Sequence, residues 1–208
     1  MVIAEPPLSA SLLLLAGGLG RRIGGTKAAL RVGETTLGGL VLDRLRPHFA
    51  EALISTRASA SGLHLAGRQV PDRHPGGGPM AGIQAGLLAA RYDVVFAVAC
   101  DMPRITPALA RLLVAAGDGY DAAVPLLPRG PEPVCASYSR TAIPAITQGL
   151  ESGERKAADL LRRLHVRYLG EDELARHGIQ PDLFWNINTP ADYQAFLANR
   201  DNWEARRA

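Results

Sequence analysis

Along the chain, short continuous apolar runs alternate with longer segments whose apolar residues recur at helical spacing. The runs at 12–15, 52–55 and 94–99 predict buried strands, although periodicity alone does not separate a short buried strand from a buried helix segment. Val94-Val95-Phe96-Ala97-Val98-Ala99 is the clearest central strand, being apolar throughout and rich in β-formers. Residues 121–125 and 134–138 predict further strands, and 28–32 with 35–37 a short hairpin. Helical spacing covers 39–45, where Pro47 stops it, and 80–90, directly after Pro79. Thr106-Pro107 reads as an N-cap and first helical position opening a helix to about residue 115. Segments 143–150 and 155–164 read as helices, and Thr189-Pro190 opens a last one. This alternation predicts an α/β fold, a mainly parallel sheet with helices on both faces, as a single domain over residues 1–208. In such sheets ligands bind beyond the carboxyl ends of the strands.

The first apolar run ends in Ala16-Gly17-Gly18-Leu19-Gly20-Arg21-Arg22-Ile23-Gly24-Gly25-Thr26-Lys27. A strand delivering glycines, arginines and a lysine suits a phosphate-binding loop. Glycine admits close approach of backbone N–H groups to an anion, arginine offers a forked donor and lysine a compact charge. Two familiar motifs are excluded. Gly20 and Gly25 have Walker A separation, but Thr26 precedes Lys27 where the order Lys-Ser/Thr is needed. The dinucleotide fingerprint fails because Ile23 stands where a third glycine belongs. The loop therefore reads as a nucleoside triphosphate cradle of another kind, with Arg22 and Lys27 as its cations.

Composition narrows the ligand. The chain has 208 residues, formal net charge +3 and 5% aromatic residues. Its basic residues are dispersed, without the dense stripe and aromatic platforms of a nucleic-acid binder, so a small anionic ligand is expected and nucleic acid is not. Cys100 and Cys135 form no metal pattern and suit a reduced cytoplasmic chain. The segment before the first run carries Glu5 and no Lys or Arg, unlike a secretory leader, and no run is long enough to span a bilayer.

Asp101, directly after the 94–99 strand, is a candidate Mg²⁺ ligand, because that ion is commonly held by one or two carboxylates plus substrate phosphates. A turn-forming role is the other reading. Residues 72–82 form a second glycine-rich loop with no regular pattern until Pro79, expected to be flexible and at the surface. Its His74 reads as a solvated loop residue. Asn186 and Asn188 share one face of an extended segment, either to orient a phosphate or metal or to cap the helix after them. Asp192 reads as a capping residue.

The loop pattern Leu15-Ala16-Gly17-Gly18-x-x-Arg21-Arg22-x-Gly24-Gly25-x-Lys27 resembles the signature of the molybdenum cofactor guanylyltransferases. Gly78-Pro79-x-Ala81-Gly82 and Asn186-x-Asn188-Thr189-Pro190 resemble two further elements of that family, and the likeness runs over nearly the whole chain. The resemblance implies a Rossmann-like three-layer sandwich of the glycosyltransferase-A type, its N-terminal part nucleotide-binding and its C-terminal part acceptor-binding. It implies transfer of GMP from GTP to the terminal phosphate of molybdenum-loaded molybdopterin, with release of pyrophosphate and with Mg²⁺ as cofactor. Arg22, Lys27 and Asp101 would then be catalytic and Asp101 would bind the metal. Leu15, Ala16, Gly17, Gly18, Lys27, Ser55, Asp72, Gly78, Gly82, Asp101, Arg155, Asn186 and Asn188 would line the substrate site. The molybdenum-inserting and cofactor-accepting enzymes of the same pathway are the protein partners it suggests.

Three details bear on the expectation. Relatives that use CTP usually carry Ala-Ala-Gly in place of Ala16-Gly17-Gly18, which favours guanine here. Glu154-Arg155-Lys156 resembles an element thought to meet the pterin phosphate, with lysine where arginine is commoner. Ser55 stands where the family often has an asparagine that touches the nucleotide, so that contact would be lost or bridged by water. The alternatives are the same fold using CTP with molybdopterin or a nucleotide with a sugar phosphate, a non-catalytic nucleotide-binding regulator, and a dinucleotide domain of the oxidoreductase type.

Overall fold

Strand β1 (Leu8–Leu15) sets the architecture through the two-residue period of its side chains. Leu12 and Leu14 enter one core with Phe96, Val98, Leu109 and Leu113, while Leu13 and Leu15 enter a second with Val95, Ala97, Met80 and Ile83. A strand buried on both faces needs helices on both, which is what a continuous apolar run encodes. The computed structural model describes residues 5–17, 19–20, 25–56 and 65–205, with side chains at all of these except 19, 20, 25 and 201–205.

After β1 come α1 (Leu37–Leu45), β2 (Phe49–Thr56), β3 (Arg68–Pro71), α2 (Gly78–Ala89) and β4 (Val94–Ala99). Then follow α3 (Pro107–Ala116), β5 (Ala122–Leu127), β6 (Cys135–Ser139), α4 (Ile143–Glu151), α5 (Ala157–Leu161), β7 (Val166–Leu169), α6 (Glu171–Arg176) and α7 (Pro190–Ala205). The eight-stranded sheet runs Gly130–Pro131, β5, β6, β4, β1, β2, β3, with β7 paired to β5. Strands β3, β2, β1 and β4 are mutually parallel, as are β7 and β5, and β6 lies antiparallel between β4 and β5. The α/β expectation holds, with two reversed strands, β6 and the short Gly130–Pro131, in a mostly parallel sheet.

From β1 the chain goes to β2 and β3 on one side and to β4 on the other. The crevice between the ends of β1 and β4 is therefore the switch point at which doubly wound sheets bind ligands. Register puts Leu15 opposite both Ser55 and Ala99, so the residues that follow three strands emerge side by side.

Most expected elements are present with slightly shifted ends. Thr106 caps α3, its hydroxyl accepting from the Leu109 N–H at 3.5 Å, and Arg31–Val32 pairs with Thr35–Thr36 around Gly33 at φ +61°. The expected helix over 155–164 shortens to α5. Lys156 is extended at φ −86°, ψ 122°, and the Glu154 N–H bonds back to the Gly149 carbonyl, so Arg155 and Lys156 precede the helix. Strand β3, strand β7 and helix α6 were not expected. Among the described residues no helix is long and apolar enough to cross a membrane.

A third, small cluster of Val32, Leu37, Ile187 and Phe196 packs the segment before α7 and α7 itself against the N-terminal hairpin. The Tyr193 hydroxyl donates to the Arg31 carbonyl across the same contact. Residues 186–188 are thereby held beside the hairpin, with Asn188 bonded to Lys27.

Candidate active site

A cleft of about 300 Å³ opens at the switch point. Leu15 and Gly17 come from the end of β1, Ala99, Cys100 and Asp101 from the end of β4, and Ser55 from β2. Asp72 follows β3, Gly78, Pro79 and Gly82 open α2, and Lys27, Val134 and Asn186 complete the lining. The local reason is shared by these segments: each leaves a buried strand or enters a helix at the same edge of the sheet. Ala16 is fully buried, and its N–H donates to the Ser55 carbonyl at 3.0 Å, while the Cys100 N–H donates to the Leu15 carbonyl at 3.3 Å. The strand ends are thus stitched together at the floor.

Lys27 donates to Asp101 Oδ2 at 2.6 Å and to Asn188 Oδ1 at 2.8 Å. Two residues, 74 and 161 positions from Lys27 in sequence, meet at its ammonium. The Ile187 N–H donates to the Asp101 carbonyl at 2.9 Å, which fixes the extended 186–188 segment over the end of β4. Asp192 caps α7 as expected: its carboxylate accepts from the N–H groups of Asn188 at 3.0 Å and Thr189 at 2.8 Å, and Thr189 Oγ1 accepts from the Asp192 N–H at 3.1 Å. The Asn188 and Thr189 N–H bonds, with the Thr189 hydroxyl, outweigh desolvation and hold the Asp192 carboxyl below its usual range. Capping falls to Thr189 and Asp192, which leaves the Asn186 amide to line the cleft and the Asn188 amide to hold Lys27.

Asn186 Oδ1 is buried without a hydrogen-bond partner. A buried unpaired amide oxygen costs free energy unless something fills the gap. With the Asp101 carboxylate it forms a set of hard oxygen donors that suits a divalent cation completed by phosphates and water. Among the described residues no group of three or more His, Cys, Asp and Glu forms an all-protein metal site. The fit is to a cation shared with a substrate.

Ser55 is 2% exposed and donates to Asp72 Oδ1 at 2.8 Å. The departure from asparagine therefore gives a side chain that fixes a neighbouring carboxylate. Gly82 is required beside it, since a Cβ there would sit 2.4 Å from Ser55 Oγ and 3.2 Å from Leu15 Cδ2. Gly78 has φ +67°, a region that strongly favours glycine. Asp72, expected on a flexible loop, is instead delivered by β3 and held by Ser55.

Arg155 is exposed and contacts the Leu150 and Glu154 carbonyls at 3.4 Å, outside the cleft lining. Its own carbonyl lies 3.2 Å from where a Cβ of Gly78 would stand, so the segment borders the cleft without entering it. Glu154 is taken up by Arg163, with bonds of 2.9 and 3.1 Å, and that pairing holds its carboxyl low. Gly18 and Arg22 lie outside the described residues.

Sequence reasoning missed Arg129 and Glu132. Arg129 Nη2 bridges Glu132 Oε2 at 2.5 Å and the Phe184 carbonyl at 3.0 Å, tying the 128–134 turn to the chain entering Asn186. Burial pushes the Glu132 carboxyl up despite Arg129, and the negative charge of Asp101 pushes the same way. An Arg-x-x-Glu spacing between two predicted strands carries no signal that would single it out. Cys100 and Cys135 are buried thiols whose pKa burial raises, so neither is an activated nucleophile.

The family model for the MobA-like NTP transferase domain matches residues 12–168. A probable molybdenum cofactor guanylyltransferase of Pelotomaculum thermopropionicum is 40% identical over 185 residues, covering 89% of this chain and 90% of the relative. The molybdenum cofactor guanylyltransferase of Vibrio vulnificus is 34% identical, covering 91% and 96%. Among solved structures, molybdopterin-guanine dinucleotide biosynthesis protein A from Archaeoglobus fulgidus superposes with TM-score 0.81 at 29% identity, covering 92% of this chain and 99% of that one. The switch-point cleft, with its lysine and aspartate, therefore sits in a nucleotidyltransferase fold, and the chain belongs to the MobA-like NTP transferase family.

Proposed function

We propose that this protein transfers GMP from GTP to the terminal phosphate of molybdenum-loaded molybdopterin. The observation that carries the reading is the meeting of Lys27, Asp101 and Asn188 at one point of a nucleotide-sized cleft. It is supported by near full-length relatedness to proteins named for that activity. An acceptor phosphate oxygen attacks the α-phosphorus of GTP. The bond from that phosphorus to the oxygen bridging to the β-phosphorus breaks, and pyrophosphate leaves with the electron pair.

The reacting groups are all anions, so the chain's task is to align them and to offset their charge. Lys27 supplies the positive charge at the triphosphate, with Arg22 as its partner from the same loop. The backbone from Leu15 to Gly18 would border the base or phosphates, with Gly17 and Gly18 carrying no side chain to bar close approach. Asp72, fixed by Ser55, offers a stationary acceptor toward the nucleoside. Asp101 and Asn186 would hold Mg²⁺, which when bound neutralises and polarises phosphate oxygens. Arg155 lies beside Gly78 in the C-terminal part and would meet the pterin phosphate. No protein general base is required, because a phosphate nucleophile is already ionised near neutral pH.

The test is pyrophosphate release on incubation with Mg²⁺, molybdenum-loaded molybdopterin and either GTP or CTP. Release with GTP, and little with CTP, is expected. A preference for CTP contradicts the guanine assignment. Chelation of the metal should stop release, and Mg²⁺ should restore it.

A further inference from the structure

Lys27, which lines the cleft, bonds at 2.6 Å to Asp101, also in the lining, and at 2.8 Å to Asn188. Both side chains of the ion pair are mostly sheltered, at 14% exposed for Lys27 and 19% for Asp101, so solvent screens the contact less than on an open surface. A divalent cation arriving alone would share one carboxylate with an ammonium, and two cations so placed repel. Among the described residues no group of three or more acidic, His or Cys side chains stands ready to hold the ion without substrate. A triphosphate changes the balance, because its oxygens can take the ammonium and supply the missing metal donors at once.

We propose that Lys27 closes Asp101 to a free divalent cation, so that the metal enters as its complex with the nucleoside triphosphate. This rests on reading the cleft as the GTP site. Lys27 then has two successive positions, on Asp101 and Asn188 in the free protein and on phosphate in the complex. The coupling is reciprocal: metal and nucleotide each raise the protein's affinity for the other. Replacing Lys27 by an uncharged side chain of similar length should reverse the order, favouring free metal and weakening nucleotide.

The experiment titrates Mn²⁺ alone, without nucleotide, and follows the paramagnetic resonance of the free ion. The proteins are the wild type, Lys27→Met, Lys27→Gln as a second uncharged variant, and Lys27→Met combined with Asp101→Asn, each checked for folding by circular dichroism. The uncharged variants should bind Mn²⁺ at least about tenfold more tightly than the wild type, the size expected for removing a nearby like charge, and the double variant should lose that gain. Equal Mn²⁺ affinity in wild type and Lys27 variants overturns the proposal, as does a gain that survives Asp101→Asn. A separate arm measures GTP retention by the wild type in equilibrium dialysis, with and without Mn²⁺. Retention only with the metal supports the proposal. No retention in either condition overturns the GTP reading of the cleft, whereas retention with Mn²⁺ alongside equal Mn²⁺ affinities overturns only the role given to Lys27.

Discussion

At the scale of single residues the cleft depends on a few short polar contacts. Asp101→Ala should abolish transfer while leaving the circular dichroism spectrum unchanged, because Asp101 is a partly exposed residue after β4 and carries little of the core. Retained turnover in that variant would remove Asp101 from the reaction. Ser55→Ala leaves the Asp72 carboxylate without its 2.8 Å donor. A hydrogen bond to a charged acceptor contributes about 1.5–3 kcal/mol, so KM for GTP should rise about tenfold or more, with kcat less affected. Lys27 was legible in the sequence as the cation closing a glycine-rich loop, and Asp101 as a carboxylate released at the end of an apolar strand. The Ser55–Asp72 bond was not legible, since it joins the ends of two strands whose adjacency only the sheet order creates.

At the scale of elements, the segment before α7 must be held against the end of β4. The Ile187 N–H bond to Asp101, the Thr189–Asp192 cap and the Arg129 bridge to the Phe184 carbonyl do this from three directions. Arg129→Ala removes one of them and strands the buried Glu132 carboxylate. The expected result is a protein about 1–3 kcal/mol less stable to urea, with kcat reduced more than KM for GTP. Unchanged kcat would confine Arg129 to a structural role. Helix α2 makes the opposite demand, for absence of bulk. Gly82→Ala places a methyl group 2.4 Å from Ser55 Oγ, so crystallography or GTP titration should show Ser55 displaced and nucleotide binding weakened. The cap at Thr189-Pro190 and the start of α3 were readable from Ser/Thr-Pro chemistry alone. The short β3 and β7 were not, because four-residue strands carry too few positions for a period to emerge.

At the scale of the whole molecule, the sheet order turns separate motifs into one site. Alternation of apolar runs and amphipathic segments was enough to place an α/β sandwich, and the antiparallel β6 escaped because its pattern matches that of a parallel core strand. The start of β2, at the opposite end of the strands from the cleft, holds a separate stabilising cluster. Glu51 is buried there, and burial alone would raise its pKa. Hydrogen bonds from the Arg91 N–H, Arg68, Ser11 and the Arg91 side chain outweigh that and hold it at about 2, against an ordinary 4.5. A carboxylate lowered by folding contributes stability above its unfolded pKa and loses it as pH falls toward the folded one. Glu51→Gln should therefore cost about 3 kcal/mol at neutral pH and flatten the stability profile between pH 4.5 and 2. Thermal melts of both proteins across that window check it, and parallel profiles would contradict it.

The central claim is that the cleft passes a nucleotidyl group to a phosphate acceptor. Its most direct test is a single-turnover reaction with GTP radiolabelled either on the α- or on the γ-phosphorus, in the presence of Mg²⁺ and molybdenum-loaded molybdopterin. The α-label should appear in the pterin product and the γ-label in pyrophosphate, with neither moving in Asp101→Ala. Transfer of the γ-label to the pterin, or release of the α-label as free GMP, would contradict the account.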